Sequence, residues 1–259
     1  MAFCIEPSGE ISLIGAFDKI KAREFVNAGY IFPQTSLTNL NLTMISNAIG
    51  EVLYEKGILG HVTIDLVSFP DDTGTAGHPL FWAVDINCNL SDAASICTFF
   101  DFLMEGTLDP VSGNYEVDVN NAEFTKRRAR VEKQSSVSIA TPHSSKYSAS
   151  SRASSRQSLR PSKGPTPAPQ LAKPRGPDMT KSRGFIFIPF LHHPGLANIQ
   201  YKTFFHMCRV EGISFDLEAR VGTTFLLCDS LQSGVLSVIS MGRHLRETLS
   251  YLSETLTFI

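Results

Sequence analysis

Alternation of apolar and polar positions is clearest between Gly60 and Asn89, where two runs flank a loop. In the first run Val62, Ile64 and Leu66 fall on one side and His61, Thr63 and Asp65 on the other. In the second, Trp82, Val84 and Ile86 oppose Ala83, Asp85 and Asn87. A period of two marks a strand with one buried face. Pro70, Asp71, Asp72, Gly74, Gly77 and Pro79 make the connection turn-rich, so the stretch predicts a β-hairpin.

A second hairpin is predicted from Ala2–Ile5 and Glu10–Ala16 about the turn Glu6-Pro7-Ser8-Gly9. Phe17 to Asn27 is polar and mixed, and Gly29–Pro33 reads as a short strand stopped by proline. With Thr38 or Asn39 as N-cap, Leu42, Ile45, Ile49 and Val52 fall at helical spacing as far as Gly57. Ser91 is placed to cap a second helix, with Ala94, Cys97, Phe99 or Phe100, and Leu103 on its apolar side and Gly106 as its stop. Beyond Gly184 the pattern predicts strands at Phe185–Ile188, Thr223–Cys228 and Val235–Met241, and a helix over Asn198–Arg209. A last helix over Arg243–Leu256 places Leu245, Leu249, Leu252 and Leu256 on one stripe expected to face the core. Together these elements predict an α/β chain of α+β type with a mixed or antiparallel sheet.

Charge divides the 259 residues unevenly. Of the 23 Lys and Arg, fourteen fall between Lys126 and Arg183, leaving nine outside that stretch against 23 of the 25 Asp and Glu. The basic stretch is rich in Ser and then Pro, a composition that buries too little apolar surface to offset the entropy of ordering. It predicts three regions: a folded part at 1–120, a disordered basic linker at 121–183, and an α/β extension at 184–259 that packs on the first. Arg152–Ser155 and Arg156–Ser158 resemble basophilic kinase sites, so kinases or protein partners are the expected contacts of the linker. Between Lys126 and Arg183 Tyr147 is the one aromatic residue, which argues against a stacking platform for nucleic acid. Five isolated cysteines without a CxxC pair, and the lack of any apolar run of about 20 residues, predict a cytoplasmic protein with no membrane span.

The candidate chemistry sits on the Gly60–Asn89 hairpin. If it closes symmetrically, Asp65 faces Asp85 and Asn87 across the ladder, and three oxygen-bearing side chains meet. Such ligands suit a hard cation, with Mg²⁺ usually held by one or two carboxylates plus water and phosphate oxygens. The helix capped by Ser91 starts just beyond, and its N-terminus favours an anion. Spacing alone also allows, and by itself favours, Asp65 as a solvated strand residue and Asp85-Ile86-Asn87 as a strand end running into a helix cap. His192, His193 and His206 lack cysteine or acidic partners at zinc-ligand spacing, no GxSxG elbow is present, and Gly74-Thr75-Ala76-Gly77 is too short for a phosphate loop.

The segments GEISLIGAFDKI, AGYIFP, GILGHVTIDLV and FWAVDINCNLSD, in that order, resemble the C-terminal lobe of ATP-grasp proteins, among which are bacterial peptide ligases. FFHMCRVEG, GTTFLLCD and VLSVISMGRHL resemble the part that follows this lobe. The resemblance implies an ATP-dependent carboxylate–amine ligase type of chemistry with Mg²⁺ and ATP as cofactors. It assigns Asp65, Asp85 and Asn87 to the metal, and Asp85 and Asn87 to the nucleotide complex. It also implies a further N-terminal lobe carrying the phosphate-binding lysine and hinge, supplied by a preceding segment or another chain. The departures are specific. Asp85 stands where the family has a longer glutamate, Thr63 where related ligases have an arginine, and CNLSDAA lacks the Arg and Gly that follow the motif. Loss of a donor at a developing charge costs roughly 100- to 1000-fold in rate. A catalytically silent regulatory or scaffold module is therefore the alternative expectation.

Overall fold

Strands β1 (Ala2–Ile5), β2 (Ile11–Gly15), β5 (Gly60–Phe69) and β6 (Leu80–Asn87) form one antiparallel sheet in the order β2-β1-β5-β6. A second sheet runs β10-β11-β12-β9-β4-β3, from Phe215–Asp216, Val221–Leu226, Val235–Gly242, Gly184–His192, Val26–Phe32 and Asp18–Arg23 respectively. A two-stranded ribbon joins β7 (Thr107–Leu108) to β8 (Tyr115–Glu116). The computed structural model describes residues 1–24, 26–36, 42–69, 80–118 and 181–259, all within one compact unit, Met1–Asp118 with Pro177–Ile259. The expected helix cap at Thr38 or Asn39, the hairpin loop at 70–79, and nearly all of the basic linker with its kinase-like sites lie outside the described residues.

Three apolar clusters order the layers. Helix α1 (Leu42–Glu55) covers one face of the four-stranded sheet with Leu42 and Leu53 against Phe3, Ile5, Val62 and Ile64. Helix α2 (Asp92–Met104) lies between the two sheets, burying Ile96, Cys97, Phe100 and Met104 against Phe32, Phe185, Phe187, Ile239 and Met241. Helices α3 (Tyr201–Val210) and α4 (Leu245–Phe258) cover the far face of the six-stranded sheet, where Phe204, Cys208 and Leu252 meet Ile186, Phe225 and Val238. Strand β9 serves both layers by simple alternation: Phe185 and Phe187 enter the central cluster, Ile186 the outer one.

Several elements differ from the expectation. The polar stretch Phe17–Asn27 holds β3 and the start of β4, and β4 continues through the expected strand as far as Phe32; the two form a hairpin whose charged residues Lys19, Lys21 and Arg23 lie on the edge strand of the six-stranded sheet, where charge discourages further pairing. Its partner on the inner side is β9, far along the chain, so no local period announces it. Helix α1 turns Val52 outward and buries Ser46 and Gly50 instead. A Cβ on Gly50 would come within 2.6 Å of Ile11 Cδ1, so the small residue sets how closely α1 meets β2. Helix α3 begins only at Tyr201, after a short 3₁₀ turn over Pro194–Asn198, and β11 ends at Leu226.

The leucine stripe of α4 is the clearest correction. Thr248, Leu252 and Thr255 face the sheet, whereas Leu245, Leu249 and Leu256 stay substantially exposed. Beneath the helix Thr223 Oγ1 and Ser240 Oγ are hydrogen-bonded at 2.9 Å, and Thr255 Oγ1 donates to Thr223 Oγ1 at 3.2 Å. Buried hydroxyls require partners, and the threonine face supplies one that leucines could not. No helix among the described residues is long and apolar enough to cross a membrane.

Cys97 is the most strongly perturbed of the free thiols. It is buried, its Sγ donates to the Ile14 carbonyl at 3.2 Å, and burial, helped by Asp101, pushes its pKa up to about 12. Because the folded value lies above that of an unfolded thiol, the stability that goes with the neutral form is complete below roughly pH 8.5 and declines as pH rises toward 12. Urea midpoints measured from pH 8 upward should fall more steeply for the wild type than for Cys97→Ala. Parallel slopes would show that Cys97 titrates as if exposed.

Candidate functional site

The β5–β6 hairpin closes with Asp65 directly opposite Asp85 and Thr63 opposite Asn87. Asp85 and Asn87, two apart on one strand, share that face, and the Asn87 side-chain amide donates to Asp85 Oδ2 at 2.9 Å. The three predicted residues are thus brought to one face of one hairpin. Asp65 is partly covered, while Asp85 and Asn87 lie in the open on an edge strand.

One irregularity changes what surrounds them. Leu66 pairs with Ala83 rather than Val84, so Val84 is an extra residue in β6, a β-bulge that reverses the alternation beyond it. Trp82 consequently pairs with Val67 and lies on the carboxylate face, not on the Ile86 face that simple alternation predicts. There it contacts Phe69 edge to face at 4.7 Å between ring centroids. Val67, Phe69 and Trp82, the last 67% exposed, extend an apolar platform next to the two aspartates.

On the other side stands helix α2. Ser91 accepts from the Ala94 amide at 3.2 Å as N-cap, and its Oγ lies 2.6 Å from Thr63 Oγ1. That contact ties the helix start to the strand position two residues before Asp65. The hydroxyl of Thr63 is therefore engaged in positioning α2.

The neighbour missed by the sequence is Lys19. Its ammonium, from β3 of the other sheet, pairs with Asp65 Oδ2. Carboxylates directly opposite across a ladder repel, and Lys19 offsets that repulsion. Tyr30, opposite Lys19 in the β3–β4 ladder, has its phenol pKa raised by burial first, then by Asp92 and Asp65. Phe17–Asn27 reads as polar and mixed, and nothing local connects Lys19 to Asp65.

The donor set at the hairpin is all oxygen, as a hard cation requires, and a cation, the Lys19 ammonium, already lies against Asp65. Fit to a metal is therefore chemical: two carboxylates and one carboxamide. Among the described residues no three His, Cys, Asp or Glu side chains are gathered as metal ligands, so any ion here depends on Asn87, water or a ligand oxygen for its third donor.

Residues 1–111 match the family described as IQCH-like, ATP-grasp. Over 256 residues, 98% of its length, the chain is 22% identical to IQ motif-containing protein H of Danio rerio. It spans about a fifth of that relative, 19% of the zebrafish protein.

Proposed function

We propose that the β5–β6 hairpin is the cation- and phosphate-facing half of an ATP-grasp site of carboxylate–amine ligase type, with Asp65, Asp85 and Asn87 holding Mg²⁺ against the phosphates of ATP. The single observation that carries this is the ladder register that sets Asp65 against Asp85 with Asn87 beside it. Mg²⁺ would supply charge neutralisation and orientation of the phosphate oxygens. The chain's own residues do the rest. Asp65 and Asp85 give the charge and Asn87 a neutral oxygen, while Asp92 in the first turn of α2 offsets the pull of that helix N-terminus on an anion. Lys19, which pairs with Asp65, would be the nearby cation for a phosphate oxygen were the nucleotide bound. The exposed Val67–Trp82–Phe69 platform offers a flat apolar surface to the base. Completion of the site calls for the opposing lobe, from a preceding segment or a partner chain.

A second reading is favoured by Lys19 itself. An ammonium that satisfies Asp65 without a metal is what a silent regulatory or scaffold module would retain, and Thr63 in place of an arginine agrees with it. The two are separated through Trp82, the single tryptophan of the chain. Addition of Mg²⁺ and ATP should change its fluorescence in the wild type and leave Asp85→Ala unchanged. An emission spectrum indifferent to Mg²⁺–ATP in both proteins would leave the scaffold as the function.

A further inference from the structure

A cavity of about 280 Å³ opens between the start of α2 and the ends of β9 and β11, lined by Phe99, Phe187, Phe190, Leu226, Leu227 and Asp92. Two costly local irregularities build it. In β9, Pro189 and Phe190 together oppose the single residue Ser237 of β12, a bulge held by the Ser237 hydroxyl donating to the Pro189 carbonyl. Bulges re-aim side chains, and this one leaves the Phe190 ring 68% exposed at the rim. Across the opening, Leu227 adopts the left-handed conformation, φ 54° and ψ 37°, with its side chain 49% exposed. A non-glycine residue in that region costs about 1–2 kcal/mol, and such outliers cluster where a ligand is held. Neither residue gains burial from its irregularity, and both line the same opening.

Asp92 is the one ionisable group in the lining. The positive end of a helix is worth about half an elementary charge, so a full carboxylate in the first turn of α2 leaves the rim negative. A lining of three phenylalanines and two leucines with one carboxylate suits a small molecule with an apolar ring and a cationic head. The volume, roughly that of nine waters, accommodates one ring with a short arm.

We infer that this cavity is a binding site for a small aryl-alkyl amine, its ring among Phe99, Phe187 and Phe190 and its ammonium at Asp92. The site is independent of the metal and nucleotide assignment, because none of Asp65, Asp85 and Asn87 lines it.

The test is a titration of the isotope-labelled full chain with phenethylammonium and, separately, phenylacetate, followed through the backbone amides of Asp92 and Leu227. The amine should give saturable shifts with an affinity about tenfold above that of the acid, a difference of roughly 1.4 kcal/mol. Asp92→Asn should bring the two ligands to equal affinity, and Phe190→Ala should weaken both. Asp92 and Phe190 are exposed, so neither variant threatens the fold. Failure of the amine to saturate, equal binding of the acid by the wild type, or an unchanged preference in Asp92→Asn would each overturn the assignment.

Discussion

Replacing Phe100 by alanine lowers the unfolding free energy by about 3–5 kcal/mol, the range for truncating a buried aromatic ring. Phe100 is fully buried, and its ring lies 5.5 Å from Phe32, 4.9 Å from Tyr115 and 5.0 Å from Phe185 between centroids. These partners come from β4, β8 and β9, so the cavity opens where α2, the short ribbon and the six-stranded sheet meet. Edge-on and tilted ring pairs add to the area term, and the rigid neighbours, themselves in mutual contact at 5.2 Å for Phe32 and Phe185, collapse poorly into the gap. Urea unfolding should show the midpoint moved with the slope retained. Phe100→Leu, which leaves a smaller hole, should lose less. A loss below about 1 kcal/mol for the alanine variant would mean that α2 is not clamped between the sheets as described.

Arg183→Met comes next, with an expected loss of about 3 kcal/mol. The guanidinium is almost wholly buried and donates to three carbonyls: Ser182 at 2.8 Å, Ala219 at 2.8 Å and Arg220 at 3.2 Å. Burial, with Arg243 adding to it, holds its pKa below the usual guanidinium value, a cost accepted because the fork satisfies carbonyls at the turn into β11. Removing it leaves one buried and two partly buried acceptors without that donor, at about 1–3 kcal/mol for a buried one when unrelieved. Arg220, beside it, carries φ 53°, so the turn has little conformational slack of its own. Arg183→Lys should recover only part of the loss, since an ammonium cannot reproduce the planar fork. Full recovery by lysine in thermal unfolding would show that charge, not geometry, matters at this position.

What could be read in advance followed from local periods. The period of two in His61–Ser68 and in the run around Asp85 found the hairpin and the three oxygen donors. Ser91 and Gly106 marked α2 to within a residue or two. What escaped depended on partners distant in sequence. β3 and the first residues of β4 lie in a polar, mixed stretch, and β4, read only from Gly29 onward, finds its inner partner in the distant β9. Lys19 meets Asp65 only because two sheets converge. The bulge at Val84 turned Trp82 to the carboxylate face, and no sequence period marks a bulge. The α4 leucines misled because a leucine stripe implies a core, while the hydroxyls of Thr223 and Ser240 called for threonines. Pro189 was the one visible sign of the irregularity in β9, since a proline inside a strand removes a ladder donor.

Strand β4 meets β9 at Phe32 and Phe185, residues about 150 positions apart, and bringing such distant segments together costs on the order of 4 kcal/mol of chain entropy. High contact order of this kind makes folding slow. The first sheet and α1 can assemble as soon as residues 1–69 and 80–87 are available, but β4 waits with a bare edge until residues near 185 have been made. During synthesis that edge stays open to wrong pairing until its true neighbour arrives.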